Sequence, residues 1–192
     1  MTGAARVEVF LNPGEYVVGG ASHRIRTVLG SCVSMTLWCA RRRVGAMSHF
    51  LLATRGAARD LDEVRGLDLR GLDGRYGDEA LRLMVHELER QGVRAPECEA
   101  KIFGGGNMFP GQPARGGAAA VGRRNGEAAR GLLQAHGIAI ASESLFGDGH
   151  RQIVFDVDTG DVWARQLAPA AAPAAAAAAA AALPRIQGFP NE

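Results

Sequence analysis

Two apolar segments joined by three consecutive arginines constrain the fold of this chain more than any other feature. The segments cover residues 33–40 and 44–52, and the arginines occupy positions 41–43. The odd-numbered residues of the first segment are apolar and share one face of a strand. Two such segments around a short polar turn predict an antiparallel hairpin. A hairpin brings the start of its first strand and the end of its second strand to the same end of a sheet.

A cysteine and a histidine stand at that common end. Cys32 follows Gly30 and Ser31 in a turn that presents its side chain just before the first strand. The thiolate is the nucleophilic form of cysteine and is scarce at neutral pH, so a catalytic Cys32 needs a base. His49 lies near the end of the second segment, within reach of the sulfur across the hairpin. We expect backbone N–H groups around residues 30–32 to point at an oxyanion, because glycine permits the tight turn that such a pocket needs.

This spacing is also open to a structural interpretation. A cysteine flanked by valine is more often a small core residue, and a single histidine is more often structural. Cys39, on the apolar face of the first segment, is predicted to be such a core residue. The spacing leaves catalysis and packing open as roles for Cys32 and His49.

Five motifs in a fixed order relate the sequence to a known family. They are Leu-Gly-Ser-Cys-Val at 29–33, a glycine followed four residues later by His-Phe at 45–50, Tyr-Gly-Asp-Glu-Ala at 76–80, Ala-Lys-Ile-Phe-Gly-Gly-Gly-Asn-Met at 100–108 and Val-Gly-Arg-Arg-Asn at 121–125. In this pattern the chain resembles the chemoreceptor glutamine deamidases of the CheD family. The resemblance covers approximately residues 5–167.

The resemblance implies an enzyme that converts particular glutamine side chains of methyl-accepting chemoreceptors to glutamate and releases ammonia. It implies Cys32 as the nucleophile, His49 as the base and acid, and Thr27 as the group that orients His49. Neither a metal nor a cofactor takes part in this chemistry. The resemblance also suggests a CheC-type phosphatase as a partner, and it implies an α/β/β layered fold.

Three consecutive glycines follow a short predicted strand at 101–103. Glycine lets a backbone approach a neighbour closely, but no Gly-Lys-Ser/Thr closes this loop as in a nucleotide-binding P-loop. Together with the resemblance, the loop is expected to line a pocket for the substrate amide. The predicted substrate-binding residues are Gly30, Ser31, Gly105, Gly106 and Asn107.

Periodicity predicts two helices among several strands. The first helix covers 78–91, with Asp78 as its cap, and the second covers 126–136, with Asn125 as its N-cap and a flexible link at 110–120 before it. Strands outnumber helices, so we expect an α/β class, layered, with mostly antiparallel or mixed sheets. Residues 1–167 are expected to form one domain, and residues 168–192 an Ala/Pro-rich tail.

Charge and cysteine content narrow the cellular setting. The net charge is +2, with 22 Lys and Arg against 20 Asp and Glu, which gives no reason to expect a nucleic-acid partner. Three cysteines without C-x-x-C spacing favour a reducing compartment over disulfides or a metal. The first residues lack a signal-peptide pattern, and no 18-residue apolar span exists outside the alanine tract. We therefore expect a cytoplasmic protein without membrane insertion.

Two questions stay open at this level. Residues 53–77 lack periodicity and follow His49 closely, so they form either a lid over the site or a surface loop. The same Cys–His pair would also suit a thiol protease or a transglutaminase-like acyltransferase. A non-catalytic chemotaxis adaptor is the alternative outside enzymes.

Overall fold

Two β-sheets and two helices make up the described part of the chain. The computed structural model describes residues 5–55, 69–109 and 118–167. The predicted tail at 168–192 and the middle of the 53–77 connection lie outside these residues. The strands are β1 Val7–Phe10, β2 Tyr16–Gly20, β3 His23–Leu29, β4 Val33–Cys39, β5 Val44–Ser48, β6 Glu99–Gly104, β7 Ala139–Leu145, β8 Arg151–Asp156 and β9 Val162–Gln166. The helices are α1 Gly77–Arg90 and α2 Ala118–Ala135, with a short 3-10 helix at Ala95–Glu97.

The strands form a four-stranded sheet in the order β1-β3-β8-β9 and a five-stranded sheet in the order β2-β5-β4-β6-β7. We call these the outer sheet and the central sheet. The pairs β1–β3 and β6–β7 are parallel, and the remaining neighbours are antiparallel. The predicted hairpin of β4 and β5 is confirmed, and β8 and β9 form a second antiparallel hairpin.

The central sheet is buried on both faces, which gives three layers. One face packs against both helices, and this core contains Val33, Met35, Leu37 and Cys39 of β4, Leu81, Met84 and Leu88 of α1, and Ala129 and Leu133 of α2. The other face packs against the outer sheet, and this core contains Ile25, Leu29, Met47, Ile153 and Phe155. The α/β/β prediction is therefore confirmed, and the other side chains of β4 face the space between the sheets.

Helix α1 matches its prediction closely, but its cap does not. Its N-cap is Tyr76, which makes no side-chain capping bond, and Asp78 Oδ1 accepts a hydrogen bond from the Glu79 N–H inside the first turn. The prediction of Asp78 as the cap is thus wrong. Gly92 follows the C-terminus at φ 74°, a conformation that glycine adopts without strain and that ends the helix as expected.

Helix α2 begins earlier than predicted and includes residues 118–120 of the expected link. Asn125 lies in its middle, so the prediction of Asn125 as an N-cap is wrong. The additional N-terminal part of the helix contacts the triple-glycine loop at 104–106: a Cβ at Gly122 would lie 2.6 Å from the Gly105 carbonyl oxygen. Glycine inside a helix is usually unfavourable, but here it lets the helix approach the loop.

The two described ends of the 53–77 connection return to one place. Leu51 and Leu52 both donate their N–H groups to the carbonyl of Arg75, and the Gly77 N–H donates to the carbonyl of Leu52.

In the described ranges, no helix has both the length and the apolar character needed to cross a membrane.

Candidate active site

The register of the central sheet places the predicted nucleophile and base on one face. Val33 and Phe50 exchange backbone hydrogen bonds of 3.1 and 3.0 Å, so they form a directly opposed pair. On this register Ser34 lies opposite His49. Because Cys32 and Ser34 are two residues apart, they share a face, and Cys32 becomes a diagonal neighbour of His49. In such pairs the Cα atoms are typically about 7–8 Å apart and the Cβ atoms are closer.

The outer sheet supplies a third side chain to the candidate site, from across the space between the two sheets. Thr27 of β3 is buried, and its Oγ1 donates to the Leu11 carbonyl at 2.7 Å and lies 2.8 Å from His49 Nδ1. A hydroxyl has one proton and a carbonyl only accepts, so the proton between Thr27 and His49 belongs to Nδ1. The neutral ring therefore carries its lone pair on Nε2, the atom that a general base needs free.

The His49 ring lies in an environment that disfavours its charged form. Its residue is 2% exposed, and Nε2 has no hydrogen-bond partner in the described part of the chain. Burial lowers the pKa of His49 to about 4, while the backbone of Leu11 and the charge of Glu15 act in the opposite direction with less effect. At neutral pH the imidazole is neutral and able to accept a proton.

The Cys32 thiol is also kept in its neutral form. Cys32 is half-buried, and burial raises the pKa of its thiol, although a hydrogen bond from its own backbone N–H works against this rise. The resting pair is thus a thiol and an imidazole instead of a thiolate and an imidazolium. Proton transfer must accompany attack by the sulfur.

Residues 11–15, between β1 and β2, bind the backbone of His49. The Gly14 N–H donates to the His49 carbonyl at 2.7 Å, and the His49 N–H donates to the Glu15 carbonyl at 2.9 Å. The same segment supplies the Leu11 carbonyl that binds Thr27. The residue types of this segment do not reveal these contacts, because the bonds involve backbone groups that any residue type provides.

The triple-glycine loop lies against the turn that carries the nucleophile. Gly106 donates its N–H to the Gly30 carbonyl and Gly105 donates its N–H to the Cys32 carbonyl, each at 2.8 Å. At Gly104, where φ is 110°, a Cβ would clash with the Cys32 carbonyl oxygen. The glycines therefore allow close backbone contact with the turn. The N–H groups of Gly105 and Gly106 are occupied there, and contact of these residues with substrate stays a prediction.

Asn107, at the end of the triple-glycine loop, is also held by hydrogen bonds within the protein. Its N–H donates to the Gly147 carbonyl at 2.7 Å, and its own carbonyl accepts from Gly149 at 2.9 Å. The side-chain Oδ1 accepts from the Phe109 N–H at 3.1 Å. The residue is half-buried, and its predicted contact with substrate is likewise untested by these bonds.

Asn125 contacts the segments on both sides of the candidate site, which its local sequence does not reveal. The side chain is 1% exposed, and its Nδ2 donates to the Ser31 carbonyl at 3.2 Å and to the Leu51 carbonyl at 2.7 Å. The Val-Gly-Arg-Arg-Asn motif drew attention to the position, but an asparagine before an apparent helix start suggested a cap.

In the described ranges, no cluster of three or more His, Cys, Asp or Glu side chains is arranged to hold a metal ion.

Comparison with known proteins gives consistent matches. Residues 66–166 match the family model described as CheD chemotactic sensory transduction. The chain is 60% identical over 163 residues, 85% of this chain and 89% of the relative, to "Probable chemoreceptor glutamine deamidase CheD 2" of Albidiferax ferrireducens. It is 44% identical over 156 residues, 81% of this chain and 85% of the relative, to "Probable chemoreceptor glutamine deamidase CheD 3" of Dechloromonas aromatica. A "Probable chemoreceptor glutamine deamidase CheD" of Pseudomonas savastanoi pv. phaseolicola is 37% identical, with 82% of this chain and 84% of the relative covered.

Proposed function

Because the chain belongs to the CheD family, we propose that it hydrolyses the side-chain amides of glutamine residues in chemoreceptors, giving glutamate and ammonia. The enzyme is an amide hydrolase that acts on a protein substrate. Cys32 is the nucleophile of this proposal, His49 is its base and acid, and Thr27 orients His49.

The first half of the reaction forms a thioester. The Cys32 Sγ–H gives its proton to His49 Nε2 as the sulfur attacks the carbonyl carbon of the glutamine side chain. The carbonyl oxygen becomes an oxyanion, which backbone N–H groups of the turn stabilise. The C–N bond then breaks, and the His49 imidazolium gives its proton to the departing nitrogen, which leaves as ammonia. The lowered pKa of His49 makes this imidazolium a strong proton donor.

The second half restores the enzyme. Water attacks the thioester carbonyl while His49 Nε2 accepts a proton from it, and the C–S bond breaks to give a glutamate side chain. The proton returns to the Cys32 sulfur. Throughout both halves, Thr27 Oγ1 accepts the Nδ1–H hydrogen bond, which keeps Nε2 directed toward the reacting atoms.

The observation that supports this role most directly is the hydrogen-bond chain from Leu11 through Thr27 to His49. It fixes the tautomer of the ring and leaves a buried, unpartnered Nε2 on the same face as Cys32. A merely structural histidine would be expected to bond through both nitrogens when buried so deeply.

The test uses cytoplasmic fragments of chemoreceptors. We expect ammonia release together with the small mass increase that converts an amide to an acid, both absent with Cys32→Ala and with His49→Ala. Cys39→Ala is the matched control, because Cys39 lies at the far end of β4, the strand that follows Cys32, and faces the helices. It should retain activity. Ammonia release by Cys32→Ala equal to that of the wild type would contradict the proposal.

The same assay separates the competing functions. A thiol protease would cleave the fragment, and a transglutaminase-like enzyme would incorporate an added amine in place of water. A non-catalytic adaptor would keep its biological effect after Cys32→Ala, and the family match does not favour that alternative.

Two further parts of the proposal concern the setting of the enzyme. Three free cysteines suit a reducing cytoplasm, where the cytoplasmic parts of receptors are accessible. A CheC-type phosphatase is proposed as a partner on the family resemblance alone, and co-purification of the two proteins would test it.

A further inference from the structure

The carbonyl groups of the nucleophile turn are all held by hydrogen bonds. The Gly30 carbonyl accepts from Gly106 and the Cys32 carbonyl accepts from Gly105, both through backbone N–H groups. The carbonyl between them, that of Ser31, accepts from the side chain of Asn125. Of the three hydrogen bonds to these carbonyls, two come from backbone N–H groups and the third comes from the Asn125 side chain.

Holding the Ser31 carbonyl also fixes the N–H group of Cys32. The peptide bond between the two residues is trans, and in a planar trans peptide the C=O and N–H bonds point in opposite directions. With the carbonyl turned toward Asn125, the Cys32 N–H is turned away from helix α2. In the described ranges, neither this N–H nor that of Ser31 donates to a backbone carbonyl.

The Cys32 N–H belongs to the same residue as the reacting sulfur, so covalent geometry keeps the two groups close together. The same N–H also acts against the rise in the pKa of the thiol. A carbonyl carbon attacked by that sulfur would present its oxygen within reach of the same N–H. Backbone N–H groups in this position stabilise the oxyanion of acyl-transfer reactions and are effective when they are fixed beforehand.

We propose that Asn125 is the positioning residue of the oxyanion site: by holding the Ser31 carbonyl, it orients the Cys32 N–H toward the reacting oxygen of the substrate. The inference rests on the proposed function, since it assumes a reaction at Cys32. The second hydrogen bond of Asn125, 2.7 Å to the Leu51 carbonyl, ties the turn to the chain just beyond His49. One amide nitrogen thus fixes the nucleophile turn relative to the strand that carries the base.

The test separates orientation of the N–H from reactivity of the thiol. Ammonia release from a receptor fragment passes through an oxyanion, whereas alkylation of Cys32 by iodoacetamide needs the thiolate but forms no oxyanion. We expect Asn125→Ala to lower kcat for ammonia release by about 100-fold with a smaller change in KM. The rate of Cys32 alkylation, measured on the Cys32 peptide by mass spectrometry, should stay within about threefold of the wild-type rate.

Two further variants separate positioning from stability. Leu133→Ala removes buried core from the same helix without touching the turn, so it should lower the Tm while leaving kcat near the wild-type value below the unfolding transition. Asn125→Asp keeps the shape of the side chain and removes the amide donors. It should reproduce the loss of kcat, and it provides the measurement if Asn125→Ala does not fold.

The outcomes distinguish a failure of the inference about Asn125 from a failure of the proposed deamidase function. An active wild type with Asn125→Ala and Asn125→Asp both near wild-type kcat would overturn the inference and leave the function intact. A parallel loss of ammonia release and alkylation would also overturn it, because Asn125 would then act on the thiol or the fold. A wild type that releases no ammonia, or a Cys32→Ala variant that does, would overturn the proposed function itself.

Discussion

The stability of the protein should fall steeply in mild acid because of His49. The unfolded chain binds a proton at this residue below about pH 6.5, whereas burial lowers the pKa in the folded protein to about 4. Between these values the unfolded state holds one more proton than the folded state, so acid favours unfolding across this window. Above the window the ring is neutral in both states and contributes no pH dependence.

The magnitude follows from the width of the window. Each pH unit over which only the unfolded state binds the proton changes the free energy of unfolding by about 1.4 kcal/mol. From about pH 7 to about pH 4.5, His49 should therefore remove about 2.5 kcal/mol. That is a large share of the roughly 5–15 kcal/mol that stabilises a typical domain.

The assay is urea unfolding at these two pH values, for the wild type and for His49→Gln. The variant lacks the titrating ring and shares every carboxylate with the wild type, so the difference between the two losses isolates His49. We expect the wild type to lose about 2.5 kcal/mol more than the variant between the two pH values. Equal losses would refute the assignment of a buried, neutral ring.

Three further predictions concern activity and backbone fit. Thr27→Val removes the acceptor of the His49 Nδ1–H bond and should lower kcat by about 10- to 100-fold. The control Thr36→Val changes a threonine of β4 that borders the same space from the central sheet, and it should stay near wild type in the ammonia assay. Because the lowered pKa keeps His49 neutral above about pH 4, kcat/KM should show no acid limb near pH 6.5; a decline centred there would contradict the buried site. Gly104→Ala places a side chain at φ 110° against the Cys32 carbonyl and should lower the free energy of unfolding, measured by urea titration, by about 2 kcal/mol or more. The control Gly131→Ala has open space around it and should leave this free energy unchanged or raise it slightly.

The parts of the fold that follow from local patterns could be predicted from the sequence. Alternation in β4 and the arginine turn predicted the hairpin, and this hairpin fixes the register that puts Cys32 and His49 on one face. The apolar stripe of α1 predicted the helix to within one residue at each end. In both cases the residues that decide the structure are neighbours along the chain.

The supports of the site could not be predicted in this way, because their partners are distant in sequence. Asn125 bonds to carbonyls 94 and 74 residues away, and nothing around it distinguishes such a contact from a helix cap. Thr27 reaches His49 from the other sheet, and only the family resemblance drew attention to it. The triple glycine was recognised as a close-approach loop, but the neighbour it approaches is set by packing of three separate segments.

The placement of Thr27 on one sheet and of His49 on the other gives the enzyme an unusual dependence. In the proposed mechanism, the tautomer that accepts the thiol proton is favoured by one hydrogen bond of 2.8 Å that spans the space between the two sheets. On that mechanism, we expect turnover to respond to an event that shifts the sheets against each other, even when each sheet stays intact. A partner that binds the outer sheet far from Cys32 would have a direct mechanical route to the rate of deamidation.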